Sequence, residues 1–292
     1  MIPNKKGPLM SISSVQNTIH IIGDSTLDNI HWVRDHTADS VEANLRQQGH
    51  TIVNNAFDGF TTQSLLTGDT VGRVFSKSPT YLAMRGVSGF INPLERLKAA
   101  IDARPNDTHY VLLSVGGNDF REKLHSPVHM LMDIPNIHKR YMQIVDTIKG
   151  MGNNVRPILM LQYRLDARPD KDHYGIYKIL SAVGGVFAAA HTLSSVAIAA
   201  APFVALANVV AGIALGAIGA LAAWLANRVI PFSATLGLAK GQDIGMTSLG
   251  GLMETFYKPI LAKAKQENIP VLDLPNTFNP YKPLYMAQIE PN

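Results

Sequence analysis

The chain has 292 residues, 46% of them apolar, and a formal net charge of only +4; this suits one α/β core with a single insertion and argues against a nucleic-acid partner, since no basic run or nucleic-acid motif accompanies the charge. It contains no cysteine, which excludes disulfides, cysteine-held metals and cysteine nucleophiles and leaves the redox compartment open. Residues 1–10 lack the apolar h-region of a Sec signal peptide.

In chain order, Ile19, Ile21 and Ile22 predict a strand over 18–23 buried on both faces. Gly23 permits a sharp turn after it, so Asp24-Ser25 stands between a strand end and the helical spacing of Leu27 to Leu45, with the helix itself placed at 39–49. A second strand at 51–56 leads into Phe57-Asp58-Gly59-Phe60-Thr61-Thr62, and a helix at 92–103 precedes a third strand at 109–115 that ends in Gly116-Gly117-Asn118-Asp119. A helix at 135–151, a fourth strand at 156–163, a helix at 251–267 and a last strand at 269–274 complete the alternation. Strands each followed by a helix predict a three-layer α/β/α, flavodoxin-like parallel sheet of about five strands. The carboxyl ends of such strands are where sites are built.

Three of those ends hold a serine, glycines and an amide. Ester hydrolysis requires a nucleophile plus hydrogen-bond donors aimed at the developing oxyanion, and these residue types supply both. Taken singly, Gly59 also suits a plain turn and Asn118 a helix cap. Together, Gly23-Asp24-Ser25, Gly59 and Gly117-Asn118-Asp119 resemble the first three sequence blocks of the SGNH hydrolases, the GDSL esterase and lipase family, in order and approximate separation. The resemblance runs over about 17–178 and again over about 248–292. It implies a hydrolase domain made of 1–178 plus 248–292, with Ser25 as nucleophile and an oxyanion hole formed by the backbone N–H groups of Ser25 and Gly59 and the side chain of Asn118. It implies no metal or organic cofactor.

The final block departs from that pattern. Family members carry Asp-x-x-His there, which supplies the general base and the carboxylate that orients it; here the tail Ile289-Glu290-Pro291-Asn292 is similar to Ile-His-Pro-Asn with Glu290 at the histidine position and Ala287 where the aspartate belongs. Glu290 serves as base at neutral pH only if burial raises its pKa. His125 and His129, just past the Gly-Gly-Asn-Asp loop, are the alternative bases, whereas His31 is expected to point elsewhere. A closing helix usually follows this block in the family, and two residues follow Glu290 here; a shortened copy and a subgroup without the histidine both account for that. Arg164, at the rim of the fourth strand, either holds an anionic substrate group or pairs with Asp166.

From Ile179 to Asn227 the chain runs 49 residues without Asp, Glu, Lys or Arg. About 20 apolar residues span a bilayer core, so Ile179–Ala200 and Phe203–Ala226, joined near Pro202, form a candidate transmembrane hairpin within an insertion at 179–247. Gly184, Gly185, Gly212, Gly216 and Gly219 suit close helix packing in lipid. Lys178 and Arg228 flank the pair, which places both ends, and the hydrolase domain, on the cytoplasmic side. A helical lid over a soluble site is the competing arrangement. The expected partners are therefore a membrane and an ester or lipid substrate.

Overall fold

The computed structural model describes residues 16–71, 83, 85–87, 89–123, 127–162, 193–202, 204–205, 213–220, 244–278, 285–286 and 290–291. Five strands, β1 (Asn17–Gly23), β2 (Thr51–Ala56), β3 (Thr108–Ser114), β4 (Val155–Leu161) and β5 (Val271–Asp273), form one parallel sheet in the order β2-β1-β3-β4-β5. Alternation along the strands fills two cores. Ile21, Ile52 and Leu112 face Leu27 and, from helix α1 (Val41–Gln47), Val41 and Leu45. Ile22, Val111, Leu113 and Leu159 face the other way, toward the helices that follow β2, β3 and β4.

On that second side, α2 (Thr62–Thr67) and α3 (Pro93–Asp102) follow β2, and the one-turn α4 (Gly117–Arg121) and long α5 (Pro127–Lys149) follow β3; α6 (Ile244–Gln266) leads back to β5. Leu94, Leu97 and Ile101 of α3, and Ile137, Tyr141, Ile144 and Ile148 of α5, are buried at spacings of three and four, the stripe a core-facing helix requires. Asn92 caps α3 by accepting from Leu94 N and Glu95 N, with Pro93 in the first turn where its missing N–H costs nothing.

Two helices begin earlier than the sequence pattern places them. Pro135 suggests a helix start, yet α5 begins at Pro127 and runs through it, and α6 begins at Ile244 and runs through Pro259. A proline removes one N–H and bends a helix, so a stripe packed on both sides of it carries the helix across. The last strand, expected at 269–274, runs only over Val271–Asp273, and it ends there because Asp273 accepts from Asn276 N and starts a helical turn at Leu274–Thr277.

Within 179–247, residues 193–202, 204–205 and 213–220 are helical. Pro202 therefore lies among helical residues and is not the turn the sequence suggests. A Cβ added to Gly219 would lie 3.1 Å from Ala197 Cβ, and one on Gly216 3.5 Å from Ala201 Cβ, so the two stretches touch in opposite directions through small residues. No helix among the described residues is long and apolar enough to cross a membrane. The rest of the expected hairpin lies outside the described residues.

One buried polar pair sits between β1 and β3. His20 Nε2 and His109 Nδ1 are 2.9 Å apart, and His109 Nε2 is 2.9 Å from the Arg104 carbonyl. A carbonyl only accepts, so His109 donates to it through Nε2, which leaves its Nδ1 as the acceptor for the His20 Nε2 proton. His20 Nδ1 is then a bare nitrogen, buried with no hydrogen-bond partner among the described residues. Burial first, then the neighbouring His109 and Arg104, lowers the His20 pKa from 6.5 to about 4. The unfolded chain therefore takes up this proton before the folded one does. Stability should be full above pH 6.5 and fall by about 3 kcal/mol as the pH drops to about 4. Urea unfolding at pH 7 and pH 4.5 measures this, and His20→Gln, which keeps a donor for His109, should flatten the slope.

Candidate functional site at the carboxyl edge

Sheet order puts the site where the first and third strands meet, the point at which successive crossovers diverge. The register pairs Gly23 with both Ala56 and Ser114, so the loops after β1, β2 and β3 leave the sheet side by side. Asp24 N donates to the Ser114 carbonyl and Phe57 N to the Gly23 carbonyl, each at 3.0 Å. Asp58 N donates to Asp28 Oδ2 at 3.1 Å, which ties the second loop to the first.

Ser25 heads the first loop, 6% exposed, and no imidazole or carboxylate among the described residues hydrogen-bonds its hydroxyl. Asp24 does not serve it: one carboxylate oxygen accepts from Thr26 N at 3.2 Å and the other from Gln162 Nε2 at 2.5 Å. Gly59, with φ of +84°, makes the left-handed turn that a side chain would oppose. Asn118 is buried, and its Nδ2 donates to the Phe60 carbonyl at 2.9 Å. One amide hydrogen is committed to that bond, which orients the group and leaves its second hydrogen as a donor. Gly59 and Asn118 thus meet through Phe60.

Asp119 is turned the other way. Its Oδ2 accepts from Thr62 N at 2.8 Å and its Oδ1 from Thr62 Oγ1 at 2.6 Å and Arg140 Nη2 at 3.3 Å. Burial pushes its carboxyl up from the ordinary range, against the pull of Thr62 and Arg140. Every contact treats both oxygens as acceptors, the arrangement a carboxylate fits. Beneath the loops, burial and then the Asp24 charge push the Tyr141 hydroxyl up.

Several supporting residues are not legible in local pattern. Gln162 reaches Asp24 from the end of β4, and Gly117 admits it, since a Cβ there would lie 2.1 Å from Gln162 Oε1; a polar residue at a strand end is the signal that points to it. Arg85 lies over the Phe57 ring at 5.0 Å, donates to the Ala56 carbonyl at 2.9 Å and stands 3.4 Å from Asp28. Nothing in the sequence around Arg85 or Arg140 foretells these roles.

Of the expected bases, His129 lies exposed in the first turns of α5 and His125 lies outside the described residues, as does Arg164, the expected anion-holding or Asp166-pairing residue. Glu290 belongs to a two-residue strand, Glu290–Pro291, antiparallel to Tyr285–Met286. His138, absent from the expected set, has Nε2 2.6 Å from the Phe256 carbonyl and its ring stacked on Phe256, so it braces α5 against α6. Among the described residues no cluster of three or more His, Asp or Glu suits a metal. A cleft of about 490 Å³ lined by Tyr110, Lys149, Arg156 and Glu267 opens at the amino ends of β4 and β5, the opposite edge of the sheet. Lys149 and Glu267 pair with each other there at 2.5 Å. No family model matches the chain, and no curated protein is found similar to it.

Proposed function

We propose that this chain is a membrane-associated serine hydrolase of the SGNH type, cleaving carboxylic esters of lipid or acylated substrates through an acyl-enzyme at Ser25. The observation that carries the reading is the convergence of the Ser25, Gly59 and Asn118 loops at one sheet edge, with the Asn118 amide oriented by the Phe60 carbonyl. In the proposed reaction Ser25 Oγ attacks the ester carbon and gives its proton to a base. The carbonyl oxygen, now negative, takes hydrogen bonds from the Ser25 and Gly59 N–H groups and Asn118 Nδ2. The alcohol leaves with the proton, the serine is left acylated, and water repeats the sequence to release the acid. Glu290, His125 and His129 remain the proposed bases, and no cofactor is needed.

The membrane part rests on the insertion at 179–247. Leu193, Val196, Ile213 and Ile218 are between 61% and 69% exposed on helical residues. Large aliphatic side chains grouped this way favour lipid over water. The apolar hairpin is the proposed attachment, with the hydrolase domain on the cytoplasmic side.

A fluorophosphonate probe tests the chemistry, because it phosphonylates only a serine activated as a nucleophile. Labelling between pH 5 and 9 that maps to the peptide holding Ser25 is the expected result. Folded protein that stays unlabelled across that range overturns the reading in favour of a second one, a catalytically silent scaffold on the membrane. The observation favouring that alternative is that no base bonds Ser25 among the described residues. Flotation with phosphatidylcholine vesicles tests attachment: protein left in the aqueous fraction would instead favour a soluble esterase with a helical lid.

A further inference from the structure

The two expected oxyanion donors outside the nucleophile loop stand on separate segments, one after β2 and one at the start of α4. Their relative position depends on whatever joins those segments. Two adjacent residues of α4 make the join. Asn118 Nδ2 bonds the Phe60 carbonyl, and Asp119 takes both the N–H and the hydroxyl of Thr62. Phe60 and Thr62 lie one and three residues beyond Gly59.

Arg140 closes the arrangement from α5. Its Nε donates to Thr62 Oγ1 at 2.8 Å while Nη2 reaches Asp119 Oδ1 at 3.3 Å and Asp133 Oδ2 at 3.5 Å. Asp133 is in turn salt-bridged to Lys123. Donor directions are consistent around the ring: Arg140 gives to Thr62, Thr62 gives to Asp119, and Arg140 gives to Asp119. A guanidinium fork suits this, since two N–H groups in fixed geometry meet two acceptors that must not move apart. Asp119 is 3% exposed, so water competes little for these bonds.

We infer that Thr62, Asp119 and Arg140 are positioning residues that set the distance between Gly59 and Asn118 for the oxyanion. None of the three touches the reacting atoms. This rests on the hydrolase reading above, and its test separates the two.

The test is hydrolysis of 4-nitrophenyl butyrate by full-length protein, with active sites counted by fluorophosphonate titration. Thr62→Val removes the hydroxyl and keeps the N–H bond to Asp119. It should lower kcat per titrated site by about 10- to 100-fold with KM changed less than about threefold, since a displacement of about 1 Å at an oxyanion donor costs on that order. Thr62→Ser restores the hydroxyl and should recover most of the loss. Arg140→Lys should resemble Thr62→Val, because an ammonium cannot span both acceptors in the same plane.

Wild-type kcat in Thr62→Val would overturn the inference alone. So would equal losses in the Val and Ser variants that track their melting temperatures, which is what a merely structural role produces. Wild-type protein that neither hydrolyses nor labels removes the hydrolase reading, and the inference with it.

Discussion

Replacing Ser25 with alanine should lower kcat for ester hydrolysis by about 1,000-fold or more while leaving the free energy of unfolding in urea within about 0.5 kcal/mol of wild type. The two halves of that result come from different observations. Activity depends on Oγ because in the proposed reaction no other atom forms the bond to the acyl group. Stability does not depend on it, because the Ser25 hydroxyl makes no hydrogen bond among the described residues and the loop is held by other atoms: Asp24 N on the Ser114 carbonyl, and Leu27 N and Asp28 N on the Asp24 carbonyl. Hydrolysis that survives in Ser25→Ala would place the nucleophile elsewhere. A coupled fall in stability would mean that the hydroxyl has a structural partner.

Gly23→Ala should be the most damaging single methyl in the sheet, costing about 4 kcal/mol or more. Gly23 has φ of +146°, and a Cβ there would lie 1.9 Å from the Ser114 carbonyl oxygen. That oxygen is the acceptor for Asp24 N, so relief by movement separates β1 from β3 at the point where Ser25 is presented. Neither backbone has a flexible end to yield. Gly49→Ala is the control: φ is +85° there but nothing lies within 4 Å, so only the left-handed backbone is opposed, at about 1 to 2 kcal/mol. Urea unfolding of both variants measures the difference. Equal effects would show that the close approach of the two strands is not what demands glycine at position 23.

The alternation of strands and helices was legible because both periodicities are local. Ile19, Ile21 and Ile22 fill the two sides of β1, and Leu94, Leu97 and Ile101 make one stripe on α3. Pro202, expected near the hairpin's turn, stands among helical residues, and the helix expected from 135 begins earlier and runs through Pro135, where buried Ile134 and Ile137 on either side outweigh one missing N–H. Asp119 was a candidate for its place in the Gly-Asn-Asp run, but its role differs from its neighbour's. Successive residues of a helix point about 100° apart, and so Asn118 reaches Phe60 while Asp119 reaches Thr62 and Arg140.

By itself the sequence determined an α/β chain whose glycine-rich strand ends carry a serine and an amide, because turn chemistry and side-chain periodicity act over a few residues. The tertiary structure alone decided which ends are neighbours: the order β2-β1-β3-β4-β5 and the pairing of Gly23 with Ala56 and Ser114. It also decided what holds them. The bonds from Thr62 to Asp119, from Arg140 to Thr62 and from Gln162 to Asp24 join residues 57, 78 and 138 positions apart. Contacts of that range follow from sheet order and helix placement, which no local pattern encodes.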